Sequence, residues 1–295
     1  MTFLSSLTGM MSFTGVTYLA FLTIAILIFF LLPGAKTRCV WLLSVSSFFF
    51  MLYSPKYFWI ILLVTILAYG IGRALEATKD KSSGLQKVIL VGGIIITAAA
   101  LLITKYSDFS ITTLNRIISL LGSTLQLPLL KLVMPIGISF WTFQTIAYIA
   151  DVYLGKTKAE KNLLYFSASV IFFPIVTMGP ITRVQDLVPQ LSRKYTFDYE
   201  RMRSGLLLML WGYFKKLMVA DRLAVFVGTV FGNVHNYSGK ANGLMFLVAA
   251  VFYAVQLYTD FSGYTDIVRG SARIFGVDLP LNFTAPYFAR SVAEF

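Results

Sequence analysis

Leu244-Met245-Phe246-Leu247-Val248-Ala249-Ala250-Val251-Phe252-Tyr253-Ala254-Val255-Gln256-Leu257 runs directly into Tyr258-Thr259-Asp260-Phe261-Ser262-Gly263-Tyr264-Thr265-Asp266. The first part is apolar enough for a lipid bilayer. The second sets two carboxylates, several hydroxyls and a glycine at its mouth. Ionisable groups at membrane depth are costly and mark a pathway or a site. The stretch therefore fixes both the environment of the chain and the place to look for chemistry.

Composition extends the first conclusion to the whole sequence. Apolar residues make up 57% of 295 and charged residues 13%. A soluble domain carries about 25% charged residues, and the deficit here is spread along the chain. The expected fold is all-α: one polytopic, membrane-embedded helical unit over residues 1–295, with lipid as its first partner. Cys39 is the one cysteine, so no intramolecular disulfide is possible. His235 is the one histidine, which leaves no basis for a metal site. The net charge of +12 comes from basic residues scattered through inter-helix loops. That is the pattern of cytoplasmic loop bias, and it argues against nucleic acid as a partner.

Runs long enough to approach the roughly 17–25 residues of a span are Val16–Leu32, Val40–Tyr53, Tyr57–Ile71, Val88–Thr104 and Leu132–Leu154. Leu163–Met178, Leu217–Phe231 and Leu244–Tyr258 follow. Met1 to Pro33 holds no Lys or Arg, so no cleavable signal is expected and the amino terminus reads as external. Arg73, Lys79, Lys81 and Lys87 form a basic, cytoplasmic loop. Alternation then puts Lys36, Arg38, Lys156, Lys158 and Lys161 on the same side and Lys56 on the other.

Alternation fails at Leu163–Met178. A full crossing would put Arg183, Arg193, Lys194, Arg201 and Arg203 outside. The run also contains Pro174 and leads into Gly179-Pro180, which break a helix. A re-entrant segment resolves the conflict; a kinked span that violates the charge bias is the alternative. Trp211 to Lys216 reads as interfacial, because its lysines belong at a headgroup surface. His235 sits in a turn-rich loop, Gly232 to Gly239, and reads as solvated. Gly228 and Gly232 form a lone GxxxG, read as helix packing.

The candidate site residues each carry a plainer reading. Asp260 and Tyr264 share a helical face, and Asp266 precedes Arg269 by three residues. They could line a site with Ser262, or simply form an ion-paired surface helix that Asp260 caps. Arg183, after a helix-breaking Gly-Pro, could hold a phosphate or carboxylate, or reach to headgroups. Ser139 and Gln144 lie in an apolar span, where polar side chains join helices more often than they meet substrate. Ser139 has no histidine base near it in sequence.

Several blocks then line up. Tyr258 to Asp266 resembles the Y-x-D-F-S-G-Y-[ST]-D signature of membrane-bound O-acyltransferases of the alginate O-acetyltransferase type. Pro135-Ile136-Gly137-Ile138-Ser139-Phe140-Trp141-Thr142-Phe143-Gln144 is similar to that branch's P-x-G-I-S-F-x-T-F-Q, and Asp151-Val152-Tyr153 to its D-V-Y. Phe172-Phe173-Pro174, Gly179-Pro180-Ile181-Thr182-Arg183, Leu279-Pro280-Leu281-Asn282-Phe283 and Pro286-Tyr287 follow in the family's order. The likeness covers about Met134 to Phe295; the first third agrees only in hydropathy. Arg269 departs from the family, which more often has a small or apolar residue there.

The resemblance implies acyl transfer, O-acetyl transfer above all, to an extracytoplasmic polysaccharide or its carrier, from a bacterial plasma membrane. It implies no bound cofactor. An acyl donor such as acetyl-CoA or an acyl carrier would arrive from the cytoplasm, and an accessory acyl-transfer protein could stand between enzyme and polymer. In the family, Glu294-Phe295 would continue into W-x-R-W-H, with a second histidine beyond. The present sequence is thus expected to be an amino-terminal portion without the catalytic histidines. No residue in it is assigned as catalytic; Asp260, Ser262, Tyr264, Asp266, Arg183, Ser139, Gln144 and Asn282 are expected to line or support the tunnel. D-alanyl transfer to teichoic acid is the second enzymatic reading. A non-catalytic transporter or scaffold is the reading from another class.

Overall fold

A computed structural model describes residues 13–79, 83–132, 134–177, 179–234, 243–282 and 286–291. His235 and the Glu294-Phe295 terminus lie outside them. The described residues are mostly helical and contain no strand. They fall into two compact units, residues 1–31, 178–180 and 195–295 in one, and 32–177 and 181–194 in the other.

The first unit holds α1 (Val16–Leu31), α8 (Tyr199–Tyr213), a π-helical segment (Phe214–Ala220), α9 (Asp221–Gly232) and α10 (Gly243–Ile274). The second holds α2 (Ala35–Tyr53), α3 (Phe58–Ala77), α4 (Ser83–Leu120), α5 (Ile138–Tyr153), α6 (Leu163–Val170) and α7 (Val184–Ser192). Among the described residues four stretches are long and apolar enough to cross a membrane: α2, α3 with its leading 3-10 turn, α4 and α10. The multi-pass helical architecture expected from composition is what the chain forms.

Helix ends differ from the hydropathy boundaries for local reasons. The Leu132–Leu154 run is helical only from Ile138, because Pro135 and Gly137 precede it. Gly137 sits at φ +64°, in the left-handed region, and a Cβ there would collide with the Val176 carbonyl. The Leu163–Met178 run forms eight residues of helix and then stops. Eight residues rise roughly 12 Å, well short of a bilayer core of roughly 30 Å. The irregular backbone after it is covered: Phe172, Phe173, Ile175 and Val176 are all buried, and Ser46 of α2 accepts the Phe173 N–H at 2.9 Å. Broken backbone at membrane depth needs this kind of protein cover.

α4 overshoots its apolar run. Its 38 residues rise roughly 57 Å. The extended segment after it is tied back by side chains that stand in for a neighbouring strand. Asn115 accepts the Leu127 N–H at 2.8 Å and donates to the Leu127 carbonyl at 2.9 Å, while Asp108 accepts the N–H groups of Leu130 and Lys131.

The largest departure is in α10. The signature was expected at the mouth of a helix, and one of the two readings of Asp260 made it that helix's cap. Instead the helix runs unbroken through all of it, and Asp260 is deep inside, where it caps nothing. Nor do Gly228 and Gly232 make a packing face: a Cβ at either would meet no atom within 4 Å. In this unit, helix packs on helix at other glycines, Gly205 and Gly212 of α8 against Gly270 and Gly263 of α10. A Cβ at any of the four would come within 2.5–2.9 Å of the facing backbone or side chain.

Candidate functional site

α8 and α10 run antiparallel, since Gly205 faces Gly270 and Gly212 faces Gly263. Small residues let the two backbones touch. That closeness determines what happens one turn further on, where α8 passes into the π segment. Its wider turn is marked by the Asp221 N–H donating to the Lys216 carbonyl, five residues back. The wide turn narrows the angle between successive side chains, so Lys215 and Lys216 both reach α10.

Lys215 pairs with Asp266 Oδ2 and donates to Ser262 Oγ at 2.7 Å. Its ammonium also lies 5.8 Å from the Trp211 ring centre. The Lys215 and Asp266 side chains are only 12% and 10% exposed, so the pair is desolvated. Arg269 approaches the other oxygen of Asp266 at 3.4 Å and donates to the Leu279 carbonyl at 3.3 Å. Lys216 pairs with Asp260 at 2.5 Å and Asp221 at 2.9 Å. Burial alone would lower the Lys216 pKa; the hydrogen bonds it donates to Asp260 and Asp221, and their charges, outweigh it and hold the group above its ordinary value.

The remaining named residues close around this seam. Asn282 donates to Thr265 Oγ1 at 3.3 Å, so the Leu279–Asn282 block folds back onto the signature helix. Tyr264 faces away, with its ring 5.0 Å from Phe13. Arg273 pairs with Asp278, not with the carboxylates of the signature. Thus Asp260, Ser262, Asp266 and Asn282 come together with Lys215 and Lys216.

The second unit has its own ion pair. Arg183 Nη1 donates to both oxygens of Asp151, at 2.6 and 2.5 Å. Asp151 is 7% exposed and Arg183 49%. The D-V-Y and G-P-I-x-R blocks are thereby joined. Gln144 donates to the Ser169 carbonyl at 3.2 Å, which ties α5 to α6. Ser139 is half-buried on α5. Sequence reasoning missed the partners: Lys215 for Asp266, Lys216 for Asp260, and Asp151 for Arg183. The available signal was charge balance, since two lysines beside an apolar run need carboxylates of their own.

Among the described residues no group of His, Cys, Asp and Glu could hold a metal. With both Asp266 oxygens occupied by cations, the seam can position a helix, but it offers no open nucleophile. Helices of this length, with charges paired inside them, define a multi-pass membrane protein. No family model matches the chain. Over 90% of its length it is 33% identical to the probable alginate O-acetylase AlgI of Pseudomonas aeruginosa, of which it covers 49%. Over 94% it is 32% identical to the peptidoglycan O-acetyltransferase of Helicobacter pylori, covering 56%. A teichoic acid D-alanyltransferase of Bacillus subtilis is 26% identical over 54% of the chain. Over nine-tenths of its length the chain is thus similar to proteins named for O-acetyl transfer, and it spans about half the length of the curated relatives named first.

Proposed function

We propose that this protein takes part in acyl transfer, with acetyl as the acyl group, to hydroxyls of an extracytoplasmic polymer at the bacterial plasma membrane. One observation carries the reading. The relatives named for O-acetyl chemistry match nine-tenths of the chain at 32–33% identity, whereas the D-alanyltransferase matches about half of it at 26%. The donor is an acetyl thioester or acyl carrier reaching the protein from the cytoplasm. Transfer to a hydroxyl needs a general base and stabilisation of a tetrahedral oxyanion. The geometry assigns neither role to a described residue. It supports a positioning role instead: the Lys215–Asp266 seam and the Arg183–Asp151 pair hold elements that carry the family's blocks.

The test is ester-linked acetate on purified cell-surface polymer, in cells with the gene disrupted and then restored. Disruption should remove the acetate and restoration return it. His235→Ala should restore as well as the unaltered gene, because the reading gives that loop residue no role. An acetate content unchanged by disruption, or a loss of ester-linked D-alanine in its place, would reject the proposal.

A further inference from the structure

The second unit has a cleft that the ion pairs above do not use. It lies where α3 and α5 end. α5 closes in a Schellman turn: the Gly155 N–H donates to the Val152 carbonyl at 3.1 Å, and the Lys156 N–H to the Asp151 carbonyl at 2.9 Å. Gly155 holds the left-handed conformation that this turn requires, φ +70°. The turn places Lys156, Thr157 and Lys158 across from Glu76 and Lys79 at the end of α3. Together they line a cavity of about 270 Å³. The Lys79 ammonium stands over the turn, 3.5 Å from where a Gly155 Cβ would be.

Among the residues that line this cavity the charge does not balance. Two helix C-termini carry about one negative charge between them. The one lining carboxylate, Glu76, is paired with Arg73 at 3.1 Å. Among the described residues no carboxylate lies within ion-pair distance of Lys79, Lys156 or Lys158. Three ammonium groups against the two helix ends leave an excess of about two positive charges, which matches a phosphate. At about 30 Å³ per water molecule the space equals about nine waters. That holds a phosphate with a small polar substituent, or a pyrophosphate, and is tight for a whole nucleotide. The loops that supply the lysines are those the charge bias assigns to the cytoplasmic face, where anionic headgroups lie.

We infer that this cavity is a binding site for a phosphate-bearing anion. Two sources share that chemistry, the phosphate of an anionic lipid and a soluble phosphate or pyrophosphate. The site stands independently of the acyl-transfer reading.

The experiment uses the purified full chain in nanodiscs, with thermal unfolding and native mass spectrometry as readouts. One arm compares phosphatidylcholine discs with discs containing phosphatidylglycerol. The other titrates pyrophosphate into phosphatidylcholine discs. Stabilisation in one arm identifies the source. The Lys79→Gln/Lys156→Gln/Lys158→Gln variant should bind that probe at least about tenfold more weakly, with its unfolding temperature in plain phosphatidylcholine unchanged. Lys87→Gln, in the same basic stretch but off the cavity, should bind like wild type. Should the triple variant fail to fold, acetylation footprinting of wild type decides the matter: the probe must protect these three lysines more than Lys87. Binding of neither probe by wild type, equal binding by a folded triple variant, or equal protection of Lys87 would overturn the site.

Discussion

Asp260 and Asp266 are six residues apart in one helix, yet they are different kinds of residue. The Asp266 side chain is 10% exposed and shares its charge with Lys215 and Arg269; that of Asp260 is 47% exposed and faces Lys216. Removing one partner of a buried pair leaves the other charge desolvated and costs about 3–5 kcal/mol. Breaking an exposed pair costs about 0–1 kcal/mol. Asp266→Ala should therefore lower the unfolding temperature of the detergent-solubilised protein sharply, and Asp260→Ala only slightly. Equal losses would mean that the seam is not dry at Lys215. In sequence the two aspartates look alike, each flanked by aromatic and hydroxyl residues. Only the position of α8 tells them apart, and that depends on contacts some fifty residues away along the chain.

At the scale of elements, hydropathy located the helices but misplaced their ends. Runs were closed at the first polar residues, as at Tyr258, although α10 continues to Ile274. A helix tolerates aspartates along its length when lysines meet them, and a run of letters does not show who meets whom. Where a proline break was read, the helix does end nearby: α6 stops at Val170, four residues before Pro174, whereas the delay of α5 behind Pro135 and Gly137 was not anticipated. The GxxxG at Gly228 drew attention because its spacing is familiar. The glycines that matter lie seven apart on each of two helices, a pattern legible only once the helices are paired. Gly270→Val should drive a side chain into the Gly205 carbonyl, 2.5 Å from the Cβ position, at about 1–3 kcal/mol for overpacking or more. Gly228→Ala meets open space and should stabilise by a few tenths to about 1 kcal/mol. Thermal unfolding of the two variants side by side checks both signs. α4 offers a further test. Its length exceeds a bilayer core by roughly 27 Å, so its last turns lie outside the hydrocarbon. In a Cys39→Ser background, Ser119→Cys should react with an impermeant thiol reagent in intact cells and Ile95→Cys should not. Protection of position 119 would place the whole helix within the bilayer.

Across the whole molecule, the candidate site was legible in part. The family's blocks drew attention to segments that touch one another, and the structure shows two of those contacts, Asp151 with Arg183 and Asn282 with Thr265. Composition could not supply Lys215, Lys216 or the cationic cavity, because each depends on where a helix ends or widens. The glycine seam has one more consequence. Glycines seven apart on both helices form a ruler with two equivalent marks, and slippage by one mark would still bring one glycine onto another. Moved one way, Gly212 would face Gly270, and Lys215 would meet Arg269 and Arg273 in place of Ser262 and Asp266. Moved the other way, Gly205 would face Gly263, and Lys215 would meet Val255 and Thr259, neither of them charged. The first shift sets like charges together and the second strands an ammonium in a dry interface. The seam alone is degenerate in alignment; the lysines at its end make one alignment unique.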